Sequence, residues 1–313
     1  MRELRDGAPE MGEAPAVVPC RFCGRPAPLR LATRDWNRRL SHESFRYYRC
    51  TGCELTFLSP VPADLARYYP ADYYPMPASL EELAKMAEPE RYKLSLVRRF
   101  QPRGRLLEIG PSTGAFAYLA SAAGFQVDTI EIDARCCRFL RDVVGVGVVE
   151  SGMPSRVLPA LDPYDVIALW HVIEHIPDPW ETLAGAAARL RPGGIIVIGA
   201  PNPEAFQFRV LGQYWTHLDA PRHLQLLPID TLERRARALG LRPVLHTTRT
   251  PGDLGWNVFG WQRSMENVIR ARWSRHDRPA SILGWWLSLL ALPVDRAGLM
   301  GSTYTLVLRK EAP

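Results

Sequence analysis

The stretch Arg105-Leu-Leu-Glu-Ile-Gly-Pro-Ser-Thr-Gly-Ala-Phe-Ala-Tyr-Leu119 constrains this chain most. Leu106, Leu107 and Ile109 make a short apolar strand. Gly110 and Gly114 break it into a tight turn, and an Ala-rich helix follows at once. Glycine lets backbone approach a ligand closely because it has no Cβ. The turn also sets unpaired N–H groups of a helix start beside the ligand, where negative charge is favoured. Glu108, at the strand's end, can accept hydrogen bonds from hydroxyl or ammonium groups. Further on, Phe125–Ile132 reads as a second strand leading to Glu131 and Asp133. A carboxylate there suits the paired hydroxyls of a ribose.

Two nucleotide-type ligands fit this unit. A dinucleotide site wants G-x-G-x-x-G. Here the three positions are Gly110, Ser112 and Ala115, so the glycine that lets pyrophosphate come close is missing. The other fit is an E/D-x-G-x-G-x-G turn with Ser112 in place of its middle glycine.

Ahead of this unit stand Cys20-Arg-Phe-Cys23 and Cys50-Thr-Gly-Cys53. Two C-x-x-C knuckles place four thiolates for a tetrahedral zinc site, with Gly24 and Gly52 permitting tight turns. A four-thiolate site is closed, so its expected role is to stabilise a small module that has little core. Disulfides would need a secretory context, and a redox motif would need only one pair. Cys136 and Cys137 lack metal spacing. Asp35-Trp36-Asn37 and Phe45–Tyr48 read as strands of this module. The tyrosines Tyr68, Tyr69, Tyr73 and Tyr74 lie among prolines in an extended connector, where they either contact a substrate or pin the module to the rest. Leu80–Phe100 has helical spacing and forms one or two lead-in helices.

After Glu131 come a helix over Ala134–Val143 and a third strand near Val146–Val149. Tyr164–Trp170 is a fourth strand, of the buried parallel kind. Asp178 and Pro179 start a helix that Arg191-Pro-Gly-Gly194 stops. Ile195–Gly199 is the fifth strand. A helix over Pro228–Leu239 and a strand over Leu241–Thr248 follow. Leu254–Met300 reads as a helical pair, and Thr303–Arg309 is the last strand. Strands alternating with helices predict an α/β fold with a doubly wound, mostly parallel sheet. Ligands in such sheets sit beyond the carboxyl ends of the strands.

The set Glu108-Ile-Gly-Pro-Ser-Thr-Gly114, Glu131, Tyr164-Asp-Val-Ile, Trp170-His-Val-Ile-Glu-His-Ile-Pro-Asp-Pro179 and Leu190-Arg-Pro-Gly-Gly-Ile-Ile195 resembles class I S-adenosylmethionine (SAM) methyltransferases. It looks closest to a bacterial branch in which a cysteine-knuckle module precedes the catalytic domain. Trp215-Thr-His-Leu-Asp-Ala-Pro-Arg-His-Leu-Gln-Leu226 is similar to that branch too. The resemblance implies a Rossmann-like sheet of seven strands. It divides the chain into a flexible tail (1–18), a zinc module (19–62), a connector with lead-in helices (63–103) and a SAM-binding domain (104–313) with a helical insertion (254–300). It implies that Glu108 and Gly110, Ser112 and Gly114 hold the methionine part of SAM, that Glu131 holds the ribose, that Met153 lies near the adenine, and that Trp170 and His171 flank the cofactor.

Methyl transfer from a sulfonium is an in-line displacement, so the protein mainly aligns the nucleophile and excludes water. A hydroxyl nucleophile also gains from a nearby base, and histidine is the natural candidate. His175 and His223 are the candidates chosen, with His171 and His217 nearby in sequence. Arg222 and Asn202 are expected to contact the substrate, Arg222 as partner to a phosphate or carboxylate. A metal-assisted route through Glu174, His175 and Asp178 matches no known ligand spacing.

The net charge of +6 is carried almost wholly by scattered arginines, since only Lys85, Lys93 and Lys310 are lysines. No dense basic block suggests nucleic acid. No apolar leader segment opens the chain, and no uncharged run reaches the ~20 residues that span a bilayer. A cytoplasmic enzyme is expected. It would act on a sugar, glycan or natural-product-like metabolite, in line with the polysaccharide and natural-product roles of the similar branch. Two alternatives stand beside it: an RNA methyltransferase gripping through the zinc module and arginines, and a non-catalytic assembly module. The helical pair is open to three readings: a lid, a homodimer surface or a membrane-peripheral anchor.

Overall fold

A computed structural model describes residues 15–70, 73–272 and 277–311. A small antiparallel sheet opens the described chain with β1 (Val17–Pro19), β2 (Pro26–Thr33), β3 (Phe45–Arg49) and β4 (Thr56–Leu58). Helices α1 (Leu80–Ala87) and α2 (Arg91–Phe100) lead into the large sheet. There follow β5 (Arg105–Ile109), α3 (Ala115–Ala122), β6 (Gln126–Glu131), α4 (Ala134–Phe139), β7 (Gly147–Glu150), α5 (Pro154–Val157), β8 (Tyr164–Trp170), α6 (Pro179–Arg189) and β9 (Leu190–Pro201). The chain continues through α7 (Phe206–Leu211), β10 (Gln225–Leu226), α8 (Ile229–Arg237), β11 (Leu241–Thr247), α9 (Pro251–Arg272), α10 (Asp277–Asp295) and β12 (Thr303–Lys310).

The large sheet has seven strands in the order β7-β6-β5-β8-β9-β12-β11. Every β5–β9 pairing is parallel, and β12 runs antiparallel between β9 and β11. Both faces are covered, which is why the inner strands read as unbroken apolar runs. Leu107, Ile109, Ile167 and Leu169 point to the face packed by Leu183 of α6 and Leu232 of α8. Leu106, Val166 and Ala168 point to the other, against Val97 of α2 and Phe116 of α3. The reversal of strand order on either side of β5 and β8 opens a crevice at their carboxyl ends.

The small sheet runs β1-β2-β3-β4-β10, so its last strand comes from far down the chain. Gln225 and Leu226 pair with Phe57 and Thr56. Below the sheet, Phe45, Tyr47, Leu58 and Tyr68 share one apolar cluster with Trp215, Leu218, Leu224 and Leu226. The segment 215–226 is therefore clasped between the two sheets.

Several local expectations are corrected. Asp35–Asn37 is a turn rather than a strand, because the Asp35 carboxylate accepts from the Arg38 and Leu40 N–H groups and closes the chain on itself. The tail expected over Met1–Val18 lies outside the described residues up to 14, and Val17 and Val18 belong to β1, paired with β2. Arg191–Gly194 does not interrupt β9. The strand carries them as an irregularity, with the register shifting opposite Tyr164 and Val166 and Gly193 at φ 78°. The helix after Glu131 is α-helical only to Phe139. It widens into a π turn over Leu140–Val144 before Gly145 ends it at φ 76°.

Helices α9 and α10 pack as a hairpin. Gly284 sits so close to the α9 backbone that a Cβ there would lie 2.7 Å from the Trp261 carbonyl. The small residues Ala280, Gly284, Ser288 and Ala291 line the packed side of α10, while Ile282, Trp285, Trp286, Leu289 and Leu290 face outward. Among the described residues no helix is long and apolar enough to cross a membrane.

The small sheet is also tied down by charge. Arg222 Nη2 lies 2.7 Å from both Asp35 Oδ1 and Asp219 Oδ1, and the Arg222 and Asp35 side chains are wholly buried. Asp35→Ala would leave that guanidinium short of a partner in the interior. It is expected to cost about 3 kcal/mol, read as a lowered urea midpoint with an unchanged slope.

Candidate active site

Three residues of the turn after β5 adopt the left-handed conformation: Gly110 at φ 70°, Ser112 at 54° and Gly114 at 87°. A Cβ at Gly110 would come within 2.4 Å of Val172 Cγ2, and one at Gly114 within 2.4 Å of Leu140 Cδ2. Ser112 thus takes the backbone geometry that glycine serves without strain. Its N–H donates to Glu131 Oε2 at 2.9 Å, while Ile132 and Asp133 N–H groups reach Oε1 at 2.8 and 2.9 Å. Glu131 therefore joins the β5 turn to the end of β6; Oε1 is filled by two N–H groups, and Oε2 keeps a lone pair for a hydroxyl. Asp133 has a different task, capping α4 through the Arg135 and Cys136 N–H groups.

Glu108 is buried, and its Oε2 has no partner among the described residues. Burial pushes its carboxyl up to about 8, with the neighbouring Lys93 charge opposing. An unpaired, buried acceptor beside a glycine cradle fits an ammonium donor. Lys93 itself is held 2.8 Å from Glu90 and 5.1 Å above the Trp170 ring. Trp170 packs edge-on against Tyr92 and Phe116, and its indole N–H has no partner among the described residues. Met153 stands at the start of α5, next to Gly152, where a Cβ would touch the exposed Ile132.

On the other side of the crevice the structure gathers four histidines and a glutamate. His171 is held at φ 54°, its N–H on the Gly199 carbonyl and its ring 5.2 Å from Trp256 of α9. The His175 and His223 rings meet edge-on at 4.6 Å. His175 Nδ1 lies 3.0 Å from the Arg222 carbonyl and 3.1 Å from the Tyr69 hydroxyl. His223 Nδ1 lies 2.8 Å from the His217 carbonyl. A carbonyl only accepts, so both rings carry their proton on Nδ1 and leave Nε2 as a lone pair. Burial lowers His175 and pushes His223 down to about 3, which keeps both imidazoles neutral. His217 is pushed down to about 4 in the same way.

Glu174 completes this cluster. It is 1% exposed, yet neither carboxylate oxygen has a hydrogen-bond partner among the described residues. Its Oε1 is 3.8 Å from His171 Nδ1 and 3.9 Å from His223 Nε2. The metal-assisted route weighed from the sequence, against the known ligand spacings, grouped Glu174 and His175 with Asp178. The structure takes Asp178 away, binding it to the Ser155 and Thr182 hydroxyls, and puts His223 in its place.

Two expected substrate residues are not available. Arg222 is locked between Asp35 and Asp219, and it also reaches the Tyr68 carbonyl. Asn202 donates to the Leu299 and Gly301 carbonyls and accepts from Glu204, which fills its amide. Both are framework. The sequence left open whether Tyr68 and Tyr69 pin the module or face a substrate, and the structure separates them. Tyr68 pins the connector through Glu43 and Phe45, but Tyr69 reaches His175, with its ring 4.9 Å from that of Tyr73 and tilted 58° to it. The two diverge because Tyr68 ends a 3-10 turn over Ala66–Tyr68 and Tyr69 leaves it.

The four cysteines converge at the far end of the small sheet. Cys20 Sγ is 3.7 Å from Cys53 Sγ, and Cys23 Sγ is 3.3 Å from Cys50 Sγ. Tetrahedral zinc with bonds of about 2.3 Å separates sulfurs by about 3.8 Å. The two knuckles match: Gly24 N–H returns to the Cys20 carbonyl and Glu54 N–H to that of Cys50. The left-handed position is Gly24 in one knuckle and Glu54, at φ 60°, in the other, so Gly52 is not the turn glycine expected.

Relief of the strained serine gives a test of the turn. Ser112→Gly is expected to raise stability by up to about 1 kcal/mol, whereas Gly110→Ala should lower it through the clash with Val172, both read from denaturant midpoints.

A family model described as a methyltransferase domain matches residues 81–246, more than half of the chain. The ubiquinone biosynthesis O-methyltransferase of Bordetella pertussis is 29% identical over 150 residues, covering 44% of this chain and 62% of that protein. The protein of the same name from Nitrosospira multiformis is 26% identical over 151 residues, with 44% and 62% covered. The chain thus spans less than two thirds of the length of these curated relatives. Among solved structures, a SAM-dependent methyltransferase from Archaeoglobus fulgidus overlays with a TM-score of 0.48 at 20% identity, covering 71% of this chain and 95% of that one. The family match runs from α1 to β11 and takes in the glycine turn, Glu131 and the histidine-bearing loop after β8. With that match, and with a seven-stranded sheet whose β12 alone runs antiparallel, the chain belongs to the class I SAM-dependent methyltransferases.

Proposed function

We propose that this chain methylates a hydroxyl of a small, oxygen-rich acceptor, such as a sugar, a glycan unit or a natural-product-like metabolite. The observation that carries this reading is the pair of neutral imidazoles, His175 and His223, each with its Nδ1 on a backbone carbonyl and its Nε2 free. Relatives named as O-methyltransferases support an oxygen acceptor.

On this reading the unpaired Oε2 of Glu108 takes the ammonium of SAM, and Gly110, Ser112 and Gly114 pass close to its methionine part. Glu131 takes the ribose hydroxyls, Met153 and Ile132 border the adenine, and Trp170 and His171 wall the reacting side. Bound SAM supplies an electrophilic methyl on a sulfonium, which needs alignment more than activation. His223 receives the hydroxyl proton at Nε2, His175 orients the acceptor, and the Glu174 carboxylate holds the imidazolium once it forms, as carboxylates do beside catalytic histidines. Tyr69, Tyr73 and Trp256 crowd this side and limit water.

The cysteine cluster holds a structural zinc ion in this proposal, through Cys20, Cys23, Cys50 and Cys53. Its bearing on activity is indirect. The sheet it stabilises holds the Tyr47 hydroxyl on the His223 carbonyl at 2.7 Å, and pairs β4 with β10 just beyond His223.

His223→Ala is expected to lower kcat by about 10²-fold or more, with S-adenosylhomocysteine affinity by calorimetry unchanged. Unchanged turnover in both His223→Ala and His175→Ala would remove the base assignment. Cys50→Ser is expected to abolish the sulfur-to-metal absorption of the cobalt-substituted chain and to lower the melting temperature. Its turnover should fall more than its S-adenosylhomocysteine affinity, because the site it loosens is on the acceptor side.

A further inference from the structure

Glu174 presents a physical problem. A carboxyl group buried to 1% exposure with both oxygens unpaired among the described residues is costly, and native proteins almost always satisfy such groups. The donors around it are engaged elsewhere. Gln225 Nε2 goes to the Ile173 and Ile176 carbonyls, and the Tyr304 hydroxyl goes to Leu227. The Leu224 and Gln225 N–H groups go to the Glu174 backbone carbonyl rather than its side chain. The groups that do face the carboxylate are imidazoles, and they stop at 3.8 and 3.9 Å, beyond hydrogen-bond distance.

We propose that Glu174, His175 and His223 hold a divalent first-row metal ion, with open coordination positions that an acceptor bearing two neighbouring oxygens would fill. Three side chains, one nitrogen from each histidine and one carboxylate oxygen, bring their ligand atoms within 4.8 Å of one another. Two histidines and a carboxylate form a ligand set used by zinc, iron(II) and manganese sites that keep positions free for substrate. The outer contacts are those a metal site requires. Each imidazole has its Nδ1 on a backbone carbonyl, which fixes the ring and frees Nε2. The three residues come from two segments fastened to each other by the Leu224 and Gln225 N–H bonds to the Glu174 carbonyl, so the site is set before any ion arrives.

This inference rests on the reading of the histidine cluster as the acceptor side. It narrows the acceptor to molecules with vicinal hydroxyls or a hydroxyl beside a carbonyl, which can chelate. With the ion bound, the Nε2 atoms of His175 and His223 would be ligands, so this arrangement replaces the proton-accepting role given to His223 above: the acceptor hydroxyl, held by coordination and acidified by the cation, would release its proton to solvent.

The test is direct metal binding by the full chain, with no acceptor present. Manganese(II) disfavours thiolates, so it reports on this cluster and not on the four cysteines. Titration followed by electron paramagnetic resonance should show one bound Mn2+ per chain. Glu174→Gln, which keeps the shape, and His223→Ala should each weaken binding by at least roughly tenfold. S-adenosylhomocysteine calorimetry on the same samples checks the fold and judges the methyltransferase reading separately. Failure of Mn2+, Co2+ and Zn2+ alike to bind beyond the ion of the cysteine cluster would overturn the proposal. Binding that Glu174→Gln leaves unchanged would overturn it too.

Discussion

The geometry of the histidine cluster depends on one buried ionic contact. Arg222, from the segment between α7 and α8, reaches across to Asp35 of the small sheet and back to Asp219 three residues earlier. Asn37 adds hydrogen bonds to Asp219 and to the Thr216 carbonyl. A buried guanidinium with two carboxylates is weak evidence for net stability, because desolvation offsets much of the attraction. Its value here is registration. It admits one placement of the segment 215–226, and that placement sets His217 and His223 against His175.

Seen this way, the buried polar groups fall into two kinds. Arg222, Asn202 and Gln225 have their donors taken up by carboxylates and backbone carbonyls, and they build the frame. Among the described residues, Glu108 Oε2, the Trp170 indole N–H and both oxygens of Glu174 are left without partners, and all three residues lie at the carboxyl ends of the sheet. Leaving such groups unsatisfied costs about 1–3 kcal/mol each, and a ligand held there would satisfy them, although buried atoms elsewhere, such as Gln207 Oε1 and the Trp180 and Trp215 indole N–H groups, are unpaired too. The small cysteine-bound sheet belongs to the first kind of work. It lies away from the chemistry, but β10 and the Tyr47 hydroxyl bring its rigidity to the loop that carries His223.

Much of this was legible from residues alone. The strand–turn–helix at Arg105–Leu119, the carboxylate at Glu131 and the apolar run at Tyr164–Trp170 are local signals, since each rests on side-chain period and on glycine in a turn. The four cysteines were legible for the same reason. The illegible parts were those whose partners are distant in sequence. Asp35-Trp36-Asn37 has the look of a strand but closes as a turn around its own carboxylate. Arg222 reads either as an anion receptor or as the partner of Asp219 three residues earlier; the structure shows the second, and nothing near it in sequence announces that Asp35 occupies it as well.

The sequence by itself determined the alternation of strands and helices in the large sheet, the crevice expected at its carboxyl ends, the cradle of Gly110 and Gly114, and the cysteine knuckles, because local backbone preference and hydrophobic period suffice for those. Only the tertiary structure decided that Tyr69, Glu174, His175 and His223 share one pocket, that Asp178 leaves it, and that Arg222 and Asn202 are framework. Those outcomes follow from which buried groups find partners across long loops, and that pairing is fixed when the two sheets close on the segment 215–226.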